Sequence, residues 1–160
     1  MRLVLAQHGH ALPKDADPDR PLSEEGRADV EAVAGQLARA GARAARVLHS
    51  GKTRARETAE ILAGAMAPGA PVEARAGLDP NDDPKPVEGE CAGWQEDVLL
   101  VGHMPFVARL AARLCGARKG REPVAFVPGS VVCLERGEDG HWAVAWMLRP
   151  ELARQRRSAP

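Results

Sequence analysis

Three short apolar runs in this 160-residue chain each stop at a polar cluster, and no other feature limits the possible folds as much. Leu3–Ala6 runs into Gln7-His8-Gly9-His10, Arg46–His49 into Ser50-Gly51-Lys52-Thr53-Arg54, and Val98–Val101 into Gly102-His103. Apolar runs this short, bounded by turn residues, read as buried strands. Amphipathic segments separate them. Ser23 suits a helix cap, Glu24 and Glu25 its positive first turn, and Val30, Val33, Ala34 and Leu37 one inward face, with a stop at Gly41. A second helix carries Ala55, Thr58, Ala59, Leu62 and Met66 inward and ends at Pro68, Gly69 and Pro71. A short strand over Val72–Ala76, a turn-rich loop over Gly77–Pro86 and a weaker helix over Val87–Trp94 follow. Pro105 suits the first position of a fourth helix, with Val107, Leu110, Ala111 and Leu114 inward and Gly116 as its stop. Ser130–Leu134 and Trp142–Leu148 flank a Glu138-Asp139-Gly140 turn and predict a hairpin. This alternation of strands and helices predicts an α/β domain.

In open α/β sheets, ligands bind beyond the carboxyl ends of the strands, so the three polar clusters are expected to converge on one pocket. They would bring together imidazoles, a guanidinium and a glycine that permits close backbone approach, with helices opening just after Arg54 and His103. Such a set suits a phosphoryl group. Phosphoryl transfer needs an in-line nucleophile and cations around the equatorial oxygens. A neutral histidine, with an unperturbed pKa of ~6.5, serves as nucleophile, and a second, protonated histidine would stabilise the oxygens.

Charge and composition narrow the partners. The 22 basic and 22 acidic residues cancel, so nothing draws the whole chain to nucleic acid or an anionic membrane, and 3% aromatics with no Tyr leave few stacking platforms. No apolar run approaches the ~18 residues of a membrane span. Polar groups at Gln7 and His8 come too soon for a secretory leader, so the expected compartment is the cytoplasm. Cys91, Cys115 and Cys133 are odd in number and lack C-x-x-C spacing, which reads as reduced, mostly buried thiols. The length suits one domain over residues 1–150, with the Arg-rich residues 151–160 as a flexible tail.

The motifs resemble those of the histidine phosphatase superfamily, most closely its small bacterial phosphohistidine phosphatases of the SixA type. LAQHGHA resembles the family's R-H-G motif, and Arg20-Pro21-Leu22-Ser23 through Gly26 matches R-P-L-[ST]-x-x-G. Ser50, Arg54, Ala55 and Thr58 match S-x-x-x-R-A-x-x-T, and Val101-Gly102-His103-Met104-Pro105 matches the motif of the second catalytic histidine. The resemblance implies a phosphoglycerate-mutase-like three-layer sandwich, a mainly parallel central sheet with helices on both faces and the C-terminal hairpin. It implies that His8 is the nucleophile that becomes phosphorylated, that Arg54 binds the phosphoryl oxygens and that His103 stabilises their transition-state charge. Gln7, Gly9 and Arg20 would complete the phosphate site. The implied activity is a metal-independent phosphatase, needing no cofactor, that acts on a phosphorylated protein or a small phosphate substrate.

Gln7 departs from that pattern, standing where the family most often has arginine. It keeps an amide donor but loses the charge and the bidentate fork. Hydrogen bonds to charged groups contribute ~1.5 to 3 kcal/mol against ~0.5 to 1.5 for neutral ones, so phosphate stabilisation is expected to be weaker by ~1 to 2 kcal/mol unless Arg20, Lys14 or His10 compensates. The departure keeps open an alternative, a pseudo-phosphatase that binds phosphate or a phosphoprotein and turns over slowly. Asp82 and Asp83, with Asp79 and Glu88 nearby, are candidate proton donors for an alkoxide leaving group, or else simply form Asx-turns in a solvated loop. Phosphohistidine needs less help, because imidazole is a less basic leaving group. A further alternative is a metal-dependent hydrolase using His8, His10 and His103, although residues i and i+2 point oppositely on a strand unless the chain turns at Gly9. Gly51-Lys52-Thr53 is no P-loop, since position 46 is Arg where that motif needs Gly. Cys115 and Arg121 have C-x5-R spacing, but Cys115 ends a helix, where the dipole opposes a thiolate.

Overall fold

The computed structural model describes residues 1–118 and 120–154. In chain order the elements are β1 (Arg2–Gln7), α1 (Glu24–Arg39), β2 (Arg46–His49), α2 (Thr53–Met66), β3 (Val72–Ala74), α3 (Lys85–Gly93), β4 (Val98–Gly102), α4 (Phe106–Leu114), β5 (Val131–Arg136), β6 (Trp142–Leu148) and α5 (Pro150–Ala153). One six-stranded sheet has the order β3-β2-β4-β1-β5-β6, in which β3, β2, β4 and β1 pair in parallel and β5 and β6 join antiparallel. The three strands that end in polar clusters are therefore contiguous. Gln7 lies opposite Gly102 and His49 opposite Val101, so the clusters leave the sheet side by side.

Both sheet faces are covered, which explains why the strands read as unbroken apolar runs. Val4, Ala6, Val47, Leu99 and Val101 pack under α1 and α2, while Leu3, Leu5, Leu48, Val98 and Leu100 pack under α3 and α4. Each helix turns the face expected of it inward: Val30, Val33, Ala34 and Leu37 on α1, and Ala55, Thr58, Ala59, Leu62 and Met66 on α2. Burying about ten large side chains of this kind contributes on the order of 1.5 to 3 kcal/mol each. The result is the expected three-layer α/β sandwich.

Local differences have local causes. β3 stops at Ala74, short of the expected Ala76, because its neighbour β2 ends at His49, whose carbonyl takes the Arg75 N–H at 2.8 Å as the last bond available. Pro105 precedes the first turn of α4 instead of occupying it. A helical turn that starts at Pro150 takes in residues 151–153 of the region expected to be a tail, because Ala153 has α1 to pack against and Arg154 pairs with Asp29 and Glu25 of that helix. Residues 155–160 lie outside the described residues. Cys91 and Cys133 are buried and free, with burial pushing their thiols up to about 12 and about 11. Cys115 caps the C-terminal end of α4, and burial raises its thiol as well, so it lacks the helix N-terminus a reactive thiolate needs. No helix among the described residues is long and apolar enough to cross a membrane.

Candidate active site

The site starts with backbone that only glycine permits. A Cβ on Gly9 would stand 2.8 Å from Val30 Cγ2 and 3.0 Å from the Gly26 carbonyl, and one on Gly26 would stand 2.0 Å from the His10 carbonyl. These two glycines let the loop after β1 lie against the start of α1. Ser23 caps that helix by accepting the Gly26 N–H at 3.0 Å. The loop is closed by Ser23 N–H to His10 O and Leu12 N–H to Pro21 O, both at 2.9 Å, and Glu57 on α2 accepts the Leu22 N–H at 2.7 Å. The same fold-back carries Arg20, the one non-glycine described residue with positive φ, at 51°. That strained backbone is tolerated in a segment tied at both ends.

Thr58 then joins this loop to α2. Its Oγ1 accepts the Gly9 N–H at 3.0 Å and donates to the Arg54 carbonyl at 2.8 Å. His8 Nδ1 donates to the Gly9 carbonyl at 2.7 Å, which selects the tautomer with a bare Nε2. The Arg54 Nε–H points at that Nε2 from 3.3 Å. His103, only 2% exposed, stacks at a tilt with ring centroids 4.8 Å from His8, and its Nε2 lies 2.6 Å from Ser50 Oγ. His49 was not singled out from sequence, yet its Nδ1 accepts the Gly51 N–H at 3.0 Å and shapes the turn that presents Ser50 and Arg54.

The electrostatics favour an anion. Burial above all, then Arg54 and Arg20, holds His8 down to about 4, although its bond to Gly9 opposes the shift. His103 is held lower, at about 3, by burial and then by His8, Arg54, Lys52 and Arg20. Both imidazoles are thus neutral near pH 7. Burial and the nearby Arg20 lower the Arg54 guanidinium, with Asp79 opposing them. His8, Gly9, Arg54 and His103 are therefore gathered in one place, and Arg20, whose Nε donates to the Leu12 carbonyl at 3.1 Å, lies close enough for its charge to act on His8, Arg54 and His103.

Other expected members fall differently. Gln7 is 9% exposed, and its Oε1 is sealed with no partner among the described residues. Lys14 is exposed, and His10 is bound to Ser23 Oγ through Nδ1 at 2.8 Å. His10 faces its own loop, and among the described residues no three His, Cys, Asp or Glu side chains gather as a metal would need. The ligand set His8, His10 and His103 does not form. Asp82 accepts the Asp79 N–H at 2.8 Å, and Asp83 accepts the Lys85 N–H at 3.0 Å as an Asx-turn, so both candidate proton donors are tied into their own loop. Asp79 is the carboxylate set toward the site, paired with Lys52 at 3.3 Å.

The sequence profile described as the histidine phosphatase superfamily (branch 1) matches residues 3–80. Phosphohistidine phosphatase SixA of Escherichia coli is 26% identical over 155 residues, which cover 94% of each chain. A solved structure of the protein histidine phosphatase SixA complexed with tungstate superposes with a TM-score of 0.82 and 25% identity, covering 96% of this chain and all of that one. A mycobacterial glucosyl-3-phosphoglycerate phosphatase, 20% identical, shares the fold with a TM-score of 0.69, covering 89% of this chain and 96% of its own. With its paired imidazoles, its arginine and both supporting glycines gathered where β1, β2 and β4 end, this chain is similar in sequence and fold to the histidine phosphatase superfamily.

Proposed function

We propose that the protein is a phosphatase acting through a covalent phosphohistidine on His8, with protein phosphohistidine as its preferred substrate class. The observation that carries the reading is the bare Nε2 of His8, oriented by the Nδ1 bond to Gly9 and faced by Arg54 at 3.3 Å and the His103 ring. In the first step the Nε2 lone pair attacks phosphorus, the bond from phosphorus to the leaving group breaks, and the leaving group departs with that electron pair and takes up a proton. In the second step water attacks phospho-His8, giving inorganic phosphate and restoring the neutral imidazole. Arg54 and Arg20 supply fixed positive charge to the equatorial oxygens. As the dianion enters, it raises the proton affinity of His103, whose place beside His8 suits it to share the developing charge.

The preference for phosphohistidine rests on the acid loop. Asp82 and Asp83 each commit an oxygen to their own loop, and Asp79 is paired as a carboxylate with Lys52, which disfavours leaving groups that demand a strong proton donor. The similarity to a protein named phosphohistidine phosphatase supports the same class. Release of phosphate from a phosphohistidine protein and from p-nitrophenyl phosphate, measured in EDTA for wild type and His8→Ala, tests the reading. We expect release that depends on His8 and favours phosphohistidine. Full activity in His8→Ala would overturn it, and phosphate binding without release would favour the pseudo-phosphatase, with Gln7 as the lesion.

A further inference from the structure

We propose that Lys52 is a substrate-binding residue whose ammonium, held on Asp79 at the pocket rim, transfers to the phosphoryl oxygens when a phosphate group enters and supplies positive charge that Gln7 lacks. This rests on the phosphatase-like site described above. Lys52 immediately precedes α2, between Ser50, which holds His103, and Arg54, which meets His8. Its own N–H reaches Ser50 Oγ at 3.5 Å. Asp79 comes from the opposite side of the mouth. Its neighbour Leu78 places a carbonyl 3.6 Å from where a Cβ of Gly102 would stand, one residue before His103. The 3.3 Å pair between Lys52 Nζ and Asp79 Oδ2 thus spans the rim from the start of α2 to the loop after β3.

That pair is suited to exchange. Its side chains are 37% and 49% exposed, so the contact is screened and weakly held. A phosphoryl dianion offers more charge and more acceptor oxygens than one half-exposed carboxylate. Lysine's flexible stem and rotatable ammonium allow the change of partner without moving backbone. Both members already act on the site, Lys52 by lowering His103 and Asp79 by opposing the lowering of Arg54. No sequence motif flagged Lys52, because it falls on an unspecified position of S-x-x-x-R-A-x-x-T and otherwise only in the rejected P-loop ending.

Titration of the full chain with inorganic phosphate tests the proposal without relying on turnover. Lys52→Met should weaken phosphate affinity about tenfold, and Lys52→Arg should restore most of it. Asp79→Asn should tighten phosphate binding several-fold by releasing Lys52. In the Lys52→Met background that gain should largely vanish. An unchanged affinity in Lys52→Met, or an Asp79→Asn gain that persists in full without the lysine, would overturn the proposal while leaving the phosphatase reading intact. Wild type that binds no phosphate would overturn both.

Discussion

The cradle formed by the ends of β1, β2 and β4 with the start of α2 borders the same pocket as the loop from Gly77 to Pro84, yet the two are built in opposite ways. In the cradle, Thr58 ties Gly9 to α2 across 49 residues and Ser50 holds His103 across 53, and the shorter-range bonds from His8 to Gly9 and from Thr58 to Arg54 are likewise half-buried. In the loop, Asp82 and Asp83 bond residues two or three positions away, and Asp79 pairs with Lys52 at the surface. In-line attack requires fixed atoms, and long-range buried bonds fix them. Entry and exit of an anion require groups that change partners, and exposed local turns permit that.

Removing the cradle's guanidinium should break this contrast most severely. Arg54→Ala is expected to lower kcat about a hundredfold or more and to weaken inorganic phosphate binding, read by steady-state kinetics and titration. The pH profile sharpens it next. Free imidazoles titrate near 6.5, but His8 and His103 hold off protonation to about 4 and about 3. The acid limb of kcat/KM should therefore lie about two pH units below that of an ordinary histidine. The same shifts make the unfolded chain bind more protons below pH 6.5, so stability is fully present above 6.5 and falls as the pH drops toward about 4 and then 3. Denaturant melts of His103→Gln should show a shallower decline across that window.

Thr58→Val probes the cradle's joint. It strands the Gly9 N–H and should destabilise the fold by about 1 to 3 kcal/mol while lowering activity, measured by urea unfolding and phosphate release. Gln7→Arg adds a positive charge and a bidentate donor beside His8 and is expected to raise phosphate affinity and rate up to about tenfold. An unchanged or lower rate would mean that the pocket has been rebuilt around glutamine. At the small end, Asp82→Asn keeps a side-chain acceptor for the Asp79 N–H and should leave activity within about twofold. A large loss there would return Asp82 to the catalytic machinery and erase the contrast.

Much of this architecture was legible beforehand. The apolar runs from Leu3, Arg46 and Val98 became β1, β2 and β4 in adjacent positions, so the polar clusters converged as expected. The glycine positions of the motifs proved to be sites of close approach, as at Gly9 and Gly26. The acidic loop was not resolved by pattern, because an aspartate that caps its own turn and one that faces a substrate look alike in composition. His49 was passed over for a similar reason: a histidine ending an apolar strand carries no sign of which N–H its ring will accept.

What the sequence determined by itself is the order of elements, the two-sided sheet and the residue types delivered to its carboxyl edge. Periodicity and turn chemistry are local and report burial directly. Only the tertiary structure decided the tautomer of His8, the neutrality of both imidazoles, the isolation of Gln7 Oε1, the diversion of Asp82 and Asp83, and the placing of Lys52 on Asp79. Those depend on desolvation and on distances between groups that the chain keeps far apart, as with Ser50 and His103, 53 residues from each other yet 2.6 Å across the pocket. Proton affinity follows from the surrounding charges and the loss of water, and neither exists until the chain has closed around the site.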